Sequence, residues 1–465
     1  MFAAASCSGA EDERDATATT ERQTTTDRDR DGGTQVEPLP TGLGDPLYPD
    51  LGAPGIDVEH YDVELDVDED FVASGTVTLT IKATEDLAQV ALDATALDVE
   101  EVTIDGEEVE FEVDDPELLV QPEDPIDEGT SFDVAVSYVD DPEIRESADK
   151  LGPGWIQADG YSYTLNEPEA TRDWLPSLDH PSDKATWRFA ITPPPGSIAI
   201  ANGVSVSRPA EGEDGPWEWE MEDPMATYLV QVLVGDWVLI ETTAPSGVQL
   251  SSAVLAGEEE ERRPFVDEVD DQLAFFEAQF GPFPFDVYGV AVIDEEIGLA
   301  IEQQGRSLFS ADAVASSVAA HELAHQWFGD AVTPDRWRDI WLAESFASYG
   351  EWLWEESKGG DTVDASAVEA LVERDDEGPP TDDPTVEELF GFNVYEGGAV
   401  VVHALRREIG DEAFFELLRR WITEYAGTSR RTEDFTALAA DVAGRDLSEF
   451  FATWLEATDL PDALP

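Results

Sequence analysis

Residues 318–329 read VAAHELAHQWFG and contain the pattern H-E-x-x-H. Positions i and i+4 of an α-helix lie on one face, so His321 and His325 can direct two imidazoles at one metal ion. Glu322 would lie beside that ion without binding it. The apolar residues on either side predict a buried helix, in which histidine and glutamate need partners.

A second stretch, DIWLAESFASYG at residues 339–350, supplies a third ligand. Eighteen residues separate its Glu344 from His325. A catalytic zinc site takes three protein ligands and leaves one position open, so His321, His325 and Glu344 predict one zinc ion per chain. The alternative is a surface helix that matches the pattern by chance. A chain with only 5 histidines makes such a match rare.

The predicted metal site indicates a hydrolytic reaction. Zinc with an open position lowers the pKa of bound water to about 7 and polarises a carbonyl group. Glu322 is placed to accept a proton from that water and to pass it to a leaving amine. Peptide-bond hydrolysis is the reaction that such groups most often serve. The motif alone leaves open whether the enzyme is an endopeptidase or an exopeptidase.

The composition limits the classes of protein and partner. The 465 residues are 42% hydrophobic and include 13 Trp, enough for two or three domains with cores. The 106 acidic and 25 basic residues give a net charge of −81, which disfavours nucleic acid and anionic membranes as partners. No apolar run approaches the length of about 18 residues that a membrane span needs, so we predict no transmembrane helix. The acidic excess indicates either solubility in high salt or an acidic lineage without salt dependence.

Residues 1–44 are interpreted as a signal remnant followed by a disordered acidic tether, because residues 8–40 have almost no apolar side chain. The single cysteine, Cys7, excludes internal disulfides and lies in AAASCSG at residues 3–9. This stretch resembles the end of a bacterial lipoprotein signal that lacks its basic and apolar regions. We expect a lipid anchor at Cys7 and an extracytoplasmic location. The alternative is an unmodified cysteine in a polar tail.

Two folding patterns follow the tether. From residue 58 apolar and polar residues alternate, as in HYDVELDV at residues 60–67, which predicts half-buried strands. We therefore predict an all-β domain over residues 45–245. Helical spacing begins soon after residue 250, so residues 246–465 are predicted to form a domain of strands followed by helices.

These motifs resemble peptidase family M1, the gluzincin zinc metallopeptidases of the aminopeptidase N and leukotriene hydrolase group. Members carry H-E-x-x-H, eighteen residues and then Glu, and the sequence is close to that of the family over residues 321–329 and 341–349. The family's G-A-M-E-N motif corresponds to LAIEQ at residues 299–303, and its Y-E-K-G-A motif to YEGGA at residues 395–399. The resemblance covers about residues 45–456. It implies a saddle-like β-sandwich domain followed by a thermolysin-like α/β-to-α catalytic domain, in a short two-domain form.

The resemblance also implies roles for individual residues. Glu302 would bind the α-ammonium group of a peptide, helped by Glu167 from the β domain. Tyr395 would donate a hydrogen bond to the tetrahedral oxyanion, and Glu322 would be the general base. The chain departs from the family's usual residues at five positions, where the family has Gly, Met, Asn, Gly and Lys: Leu299, Ile301, Gln303, Ser345 and Gly397.

The sequence therefore predicts a zinc aminopeptidase that removes N-terminal residues from peptides with a free amino group. Two alternatives stay open. The protein would be a zinc endopeptidase if Glu302 and Glu167 did not converge on the metal. It would be a non-catalytic peptide-binding protein if the fold were an inactive peptidase. Epoxide hydrolysis, as in the leukotriene branch, is a weaker alternative.

Overall fold

The computed structural model describes residue 36 and residues 38–114, 116–140, 154–210, 212–374 and 378–465. Cys7, its expected lipid anchor and nearly all of the expected tether lie outside these residues. The described chain forms a β-rich domain followed by a domain that begins with strands and continues as helices.

The first domain is built from strands joined by short turns. A 3-10 turn at Thr171–Asp173 and another at Thr227–Leu229 interrupt them. Its strands are β1 (Ile56–Val67), β2 (Ala73–Ala83), β3 (Val90–Asp93), β4 (Asp98–Ile104), β5 (Glu107–Glu108), β6 (Glu110–Asp114), β7 (Glu117–Gln121), β8 (Ser131–Val139), β9 (Gly154–Ala158), β10 (Tyr161–Leu165), β11 (Ala185–Thr192), β12 (Ile198–Ala201), β13 (Val204–Ser207), β14 (Trp217–Met225) and β15 (Val232–Gly235).

A large sheet with the order β13-β14-β11-β1-β2-β8-β4-β5 dominates this domain. Two smaller sheets have the orders β12-β15-β10-β9 and β3-β7-β6. In β1, Tyr61, Val63 and Leu65 are buried while the residues between them are more exposed. Tyr61 stacks on Trp187 of β11 with ring centroids 3.9 Å apart. One face of the sheet therefore covers a core, as the alternating pattern predicts.

The second domain contains a sheet and a set of helices, with 3-10 turns at Trp337–Asp339 and Val386–Glu388. Its strands are β16 (Trp237–Thr243), β17 (Gln249–Leu255), β18 (Val287–Tyr288), β19 (Val290–Val292), β20 (Ala300–Ile301), β21 (Ser307–Phe309), β22 (Val332–Pro334) and β23 (Thr428–Arg430). Its helices are α1 (Glu259–Phe280), α2 (Ser316–His325), α3 (Trp341–Ser357), α4 (Val363–Glu373), α5 (Glu396–Ile409), α6 (Asp411–Tyr425), α7 (Thr432–Ala443) and α8 (Ser448–Trp454).

The sheet of the second domain has the order β16-β17-β19-β21-β20. β16 pairs along its whole length with β17. This sheet therefore begins a few residues before the predicted domain boundary at residue 245. The edge strand β20 leads directly into Glu302, and β21 follows after a short turn.

Helices α2 and α3 pack closely against each other. A Cβ atom at Gly350 of α3 would meet the Cβ of Ala324 in α2 at 2.7 Å, so glycine permits this approach. Just after α2, the ring of Phe328 stacks on Phe346 of α3 with centroids 4.9 Å apart. The close packing brings the side chains on the facing surfaces of α2 and α3 within contact distance.

A partly buried lysine joins the two domains near the end of α2. Nζ of Lys184, from the first domain, donates to the carbonyl oxygens of Asp330 at 2.5 Å and Ala331 at 3.4 Å. Burial lowers the pKa of Lys184 to about 7. The first domain thus contacts the segment that follows the H-E-x-x-H motif.

Among the residues that the structure describes, no helix has the length and apolar composition needed to cross a lipid bilayer.

Candidate active site

The three predicted zinc ligands converge between α2 and α3. The Nε2 atoms of His321 and His325 lie 3.1 Å apart. Oε2 of Glu344 lies 3.4 Å from the first of them and 3.3 Å from the second. Three ligands around a tetrahedral zinc ion, each about 2.0–2.2 Å from the metal, are separated by about 3.3 Å. The spacing therefore fits zinc.

The protonation states of Glu344 and His325 also favour the binding of a cation. Oε2 of Glu344 is buried, and its polar neighbours are the Nε2 atoms of the two imidazoles. Burial raises the pKa of Glu344, but the imidazoles of His325 and His321 outweigh this effect and hold the pKa at about 2. Nδ1 of His325 lies 3.2 Å from the carbonyl oxygen of Phe328 and can donate to it. This contact leaves the Nε2 lone pair of His325 free for a metal.

Glu322 occupies the position expected of a general base. It is buried, and one of its oxygens lies within 4.8 Å of ligand atoms of both His325 and Glu302. Burial raises the pKa of Glu322 to about 8, although the imidazoles of His321 and His325 oppose this shift. A bound zinc ion adds positive charge that favours the carboxylate.

Two further carboxylates meet beside the predicted metal ligands. Ligand atoms of Glu167, Glu302 and Glu344 all lie within 4.8 Å of one another. Oε1 of Glu302 and Oε1 of Glu167 are buried and have no hydrogen-bond partner. Burial and neighbouring carboxylates raise the pKa of Glu167 well above its usual range. Carboxylates this close together remain ionised only when a cation compensates their charge.

Gln303, where the family usually has Asn, is fully buried and points into the first domain. Its Nε2 donates to the carbonyl oxygens of Thr164 at 2.8 Å and Val230 at 3.1 Å. Its Oε1 accepts from Nε2 of Gln231 at 2.6 Å. The longer side chain thus attaches the segment of Glu302 to the β domain that carries Glu167.

Tyr395 lies at the start of α5 and faces the same cluster. Its ring is nearly parallel to that of His321, with centroids 5.7 Å apart and an interplanar angle of 7°. Burial, followed by the charge of Glu344, raises the pKa of Tyr395 well above its usual range. The phenol therefore stays protonated and can donate a hydrogen bond near the metal position.

His403 was not predicted to belong to the active site, and it packs between helices away from the predicted zinc ligands. Its Nε2 lies 2.8 Å from Oδ1 of Asp364, and its Nδ1 lies 3.2 Å from the hydroxyl of Tyr349. The side chain thus holds α5 against α3 and α4.

Sequence reasoning did not identify three side chains that support the site. Gln326 and Ser345 directly follow predicted zinc ligands and bond to the segments of Glu302 and Tyr395. Oε2 of Glu351 lies 3.9 Å from Nδ1 of His321, on the side away from the predicted metal. Ser345 differs from the family's usual Gly, and this departure was the one signal that could have drawn attention to it.

Comparison with known proteins identifies the family. The model of the peptidase M1 N-terminal domain matches residues 57–229, and that of the peptidase family M1 domain matches residues 288–454. The chain belongs to peptidase family M1. This membership confirms the resemblance drawn from the two motifs, the predicted order of a β-rich domain before a helical catalytic domain, and zinc as the cofactor of the family.

Solved M1 structures share the two-domain architecture. An M1 zinc metallopeptidase from Deinococcus radiodurans, crystallised as a variant with a Tyr-Ser-Ala substrate, is 32% identical with a TM-score of 0.82. The alignment covers 91% of this chain and 99% of that one. Yeast LTA4 hydrolase is 22% identical with a TM-score of 0.74, covering 88% of this chain and 69% of that one, and shares the fold.

Curated relatives are longer proteins. Probable aminopeptidase 1 of Sulfurisphaera tokodaii is 27% identical over 442 residues, which are 87% of this chain and 54% of the relative. Human endoplasmic reticulum aminopeptidase 1 is 29% identical over 61% of this chain and 33% of its own length. The chain spans about half the length, or less, of these curated relatives.

Proposed function

We propose that this M1 family member is a zinc aminopeptidase that hydrolyses the first peptide bond of peptides with a free N-terminus. One observation carries the proposal: Glu302 and Glu167 each have a buried carboxylate oxygen, Oε1, without a hydrogen-bond partner, and both carboxylates lie next to the predicted zinc ligand Glu344. An α-ammonium group has the charge and the donors that these oxygens need. A substrate held there presents its first peptide carbonyl to the neighbouring metal position.

In this proposal His321, His325 and Glu344 hold the zinc ion. When bound, zinc polarises the scissile carbonyl and acidifies the attacking water. Glu322 accepts a proton from that water as the new carbon–oxygen bond forms, and delivers it to the leaving nitrogen as the carbon–nitrogen bond breaks. Tyr395 donates a hydrogen bond to the oxyanion. The products are a free amino acid and a peptide shortened by one residue.

The bound ligands of related structures support a substrate with a free amine. An M1 zinc metallopeptidase from Deinococcus radiodurans has been crystallised as a variant with a Tyr-Ser-Ala substrate, and variants of a two-domain M1 zinc metallopeptidase have been crystallised with L-tryptophan or L-arginine. Each of these ligands carries an α-amino group. The proposal assigns the corresponding contact in this chain to Glu302 and Glu167.

The proposal is tested with aminoacyl anilides and their N-acetylated counterparts, at low and at molar salt. We expect hydrolysis of the free-amine set only, abolished by a chelator and restored by zinc. Equal cleavage of the acetylated substrates would instead support an endopeptidase. A zinc-loaded protein that cleaves neither set would support the non-catalytic alternative.

We also propose that the protein is extracytoplasmic and carries a lipid on Cys7. The support is the sequence AAASCSG at residues 3–9, which resembles the end of a lipoprotein signal. Expression with a labelled fatty acid in a bacterial host tests this proposal. Label in the protein but not in its Cys7→Ala variant is expected, and absence of label from both would contradict it.

A further inference from the structure

Gln326 directly follows the predicted zinc ligand His325 and is fully buried. Its side-chain amide reaches across to the turn that begins at Glu302. Nε2 donates to the carbonyl oxygen of Glu302 at 2.9 Å. Oε1 accepts from the N–H of Gly305 at 2.8 Å. The two bonds hold both ends of the turn 302–305 with one rigid, planar group.

We propose that Gln326 is a positioning residue that sets the distance between the metal and the carboxylate that binds the substrate amine. The inference rests on the proposed aminopeptidase function. Gln326 contacts neither substrate nor metal in this scheme. It acts by fixing the main chain of Glu302 relative to His325.

Other hydrogen bonds of this turn that involve side chains go to the first domain. Gln303 bonds to the carbonyl oxygens of Thr164 and Val230 in the first domain. The carbonyl oxygen of Gln304 accepts from Nδ2 of Asn202 at 2.8 Å, again in the first domain. Without Gln326, the turn keeps these hydrogen bonds to the β domain and loses both of its side-chain hydrogen bonds to the segment of the predicted zinc ligands, where Oε1 of Glu302 still lies 3.9 Å from Nδ1 of His325.

The chemistry of the substrate makes this distance important. The α-amino nitrogen and the scissile carbonyl of a peptide are separated by one carbon atom, so the spacing of their binding groups is fixed. A displacement of about 1 Å at such a site costs up to about a hundredfold in rate. Gly305 adopts a φ of +79°, and its buried N–H would lose its acceptor if Gln326 were removed.

The test compares two inhibitors. 4-Methylpentanehydroxamate binds zinc but carries no amine, whereas leucine hydroxamate has the same carbon skeleton and zinc-binding group together with an α-amino group. Their affinity ratio measures the amine contact at a fixed metal contact. Binding is measured by calorimetry on zinc-loaded protein, together with zinc content and melting temperature.

For Gln326→Met we expect the affinity ratio to fall about tenfold or more, with the affinity for 4-methylpentanehydroxamate and the zinc content unchanged. Gln272→Met is the matched control. Gln272 is also buried, and its Nε2 donates to the carbonyl oxygen of Ser316 at 2.8 Å, at the start of α2. This control should lower the melting temperature but keep the ratio.

Three outcomes decide the matter. A wild-type protein with no preference for leucine hydroxamate would contradict the proposed function itself. A wild-type preference that Gln326→Met retains would overturn the positioning role. Equal loss of both inhibitors, or loss of zinc, would also overturn it, because Gln326 would then be a general structural residue.

A second variant covers the case in which Gln326→Met does not fold. Gln326→Asn keeps the amide but shortens the side chain by one methylene, so that it no longer reaches both the carbonyl oxygen of Glu302 and the N–H of Gly305. We expect a folded protein with a reduced affinity ratio. A ratio equal to that of the wild type would overturn the inference.

Discussion

Oγ of Ser345 donates a hydrogen bond of 2.7 Å to the carbonyl oxygen of Val394. Ser345 follows the predicted zinc ligand Glu344, and Val394 precedes Tyr395, so this bond joins the metal helix to the predicted oxyanion donor. The usual family residue at position 345, glycine, has no hydroxyl to make it. The chain thus has a contact of its own that fixes the phenol relative to the metal.

Ser345→Ala should lower kcat by about fivefold while KM and zinc content change little. The reason is that a buried neutral hydrogen bond contributes about 1 kcal/mol, and here it supports a group that acts on the oxyanion. Steady-state kinetics with an aminoacyl anilide measures the effect. If KM rises and kcat does not fall, the hydrogen bond from Ser345 to Val394 does not position Tyr395 for catalysis.

Gly398→Ala should disrupt the same region more severely. A Cβ atom at position 398 would meet Oγ of Ser345 at 1.9 Å and its Cβ at 2.7 Å. The clash should lower both the melting temperature and the activity. The double variant Gly398→Ala/Ser345→Gly removes the facing side chain and should recover part of both losses. A double variant no better than Gly398→Ala would place the cause elsewhere, such as at Thr381, which is 3.2 Å from that Cβ position.

Glu322→Gln should retain zinc and lose turnover by about a hundredfold or more, because the amide keeps the shape of the side chain but cannot accept the proton of the attacking water. Metal analysis and single-turnover assays separate the two effects. His321→Gln provides the contrast, since it should lose zinc as well as activity. A turnover rate of Glu322→Gln close to that of the wild type would show that Glu322 is not the general base.

Glu117 should make stability depend on pH. Burial raises the pKa of Glu117 to about 7, opposed by Arg172, whereas its pKa in an unfolded chain is near 4.5. Between these values the unfolded chain has released this proton and the folded chain retains it. The contribution of Glu117 to the free energy of unfolding therefore falls as pH rises from about 4.5 to about 7.

Urea denaturation of Glu117→Gln and wild type at pH 5 and pH 8 tests this sign. The variant should gain stability relative to the wild type at pH 8 and change little at pH 5. Glu110→Gln, an exposed position on the neighbouring strand β6, is the control and should show no such difference. A gain at pH 5 alone would contradict the prediction.

Salt should stabilise the protein. The acidic side chains, which give the chain a net charge of −81, repel one another in the compact state. Salt screens this repulsion by shortening the distance over which the charges act, to about 3 Å at 1 M. We expect the melting temperature to rise between 0.05 M and 1 M sodium chloride. Sucrose of equal osmolality is the control, and an equal rise in sucrose would show that charge screening is not the cause.

The sequence determined the parts of this protein that depend on local periodicity. Four residues along a helix return to the same face, so His321 and His325 could be paired before any fold was known. Alternating apolar residues predicted the strands around β1 for the same kind of reason. The family could also be recognised from the sequence, because its motifs are continuous stretches of residues. The roles of Glu302, Glu167 and Tyr395 came from that resemblance and stay predictions.

The tertiary structure alone decided which distant groups meet. The convergence of Glu167 with Glu302, the bond from Gln326 to the turn of Glu302, and that from Ser345 to Val394 join residues that local spacing does not relate. Likewise, β16 joins the sheet of the second domain, although its sequence pattern resembles that of the strands of the first domain. Such contacts arise because burial forces each polar group to find a partner in space, and the partner can lie anywhere along the chain.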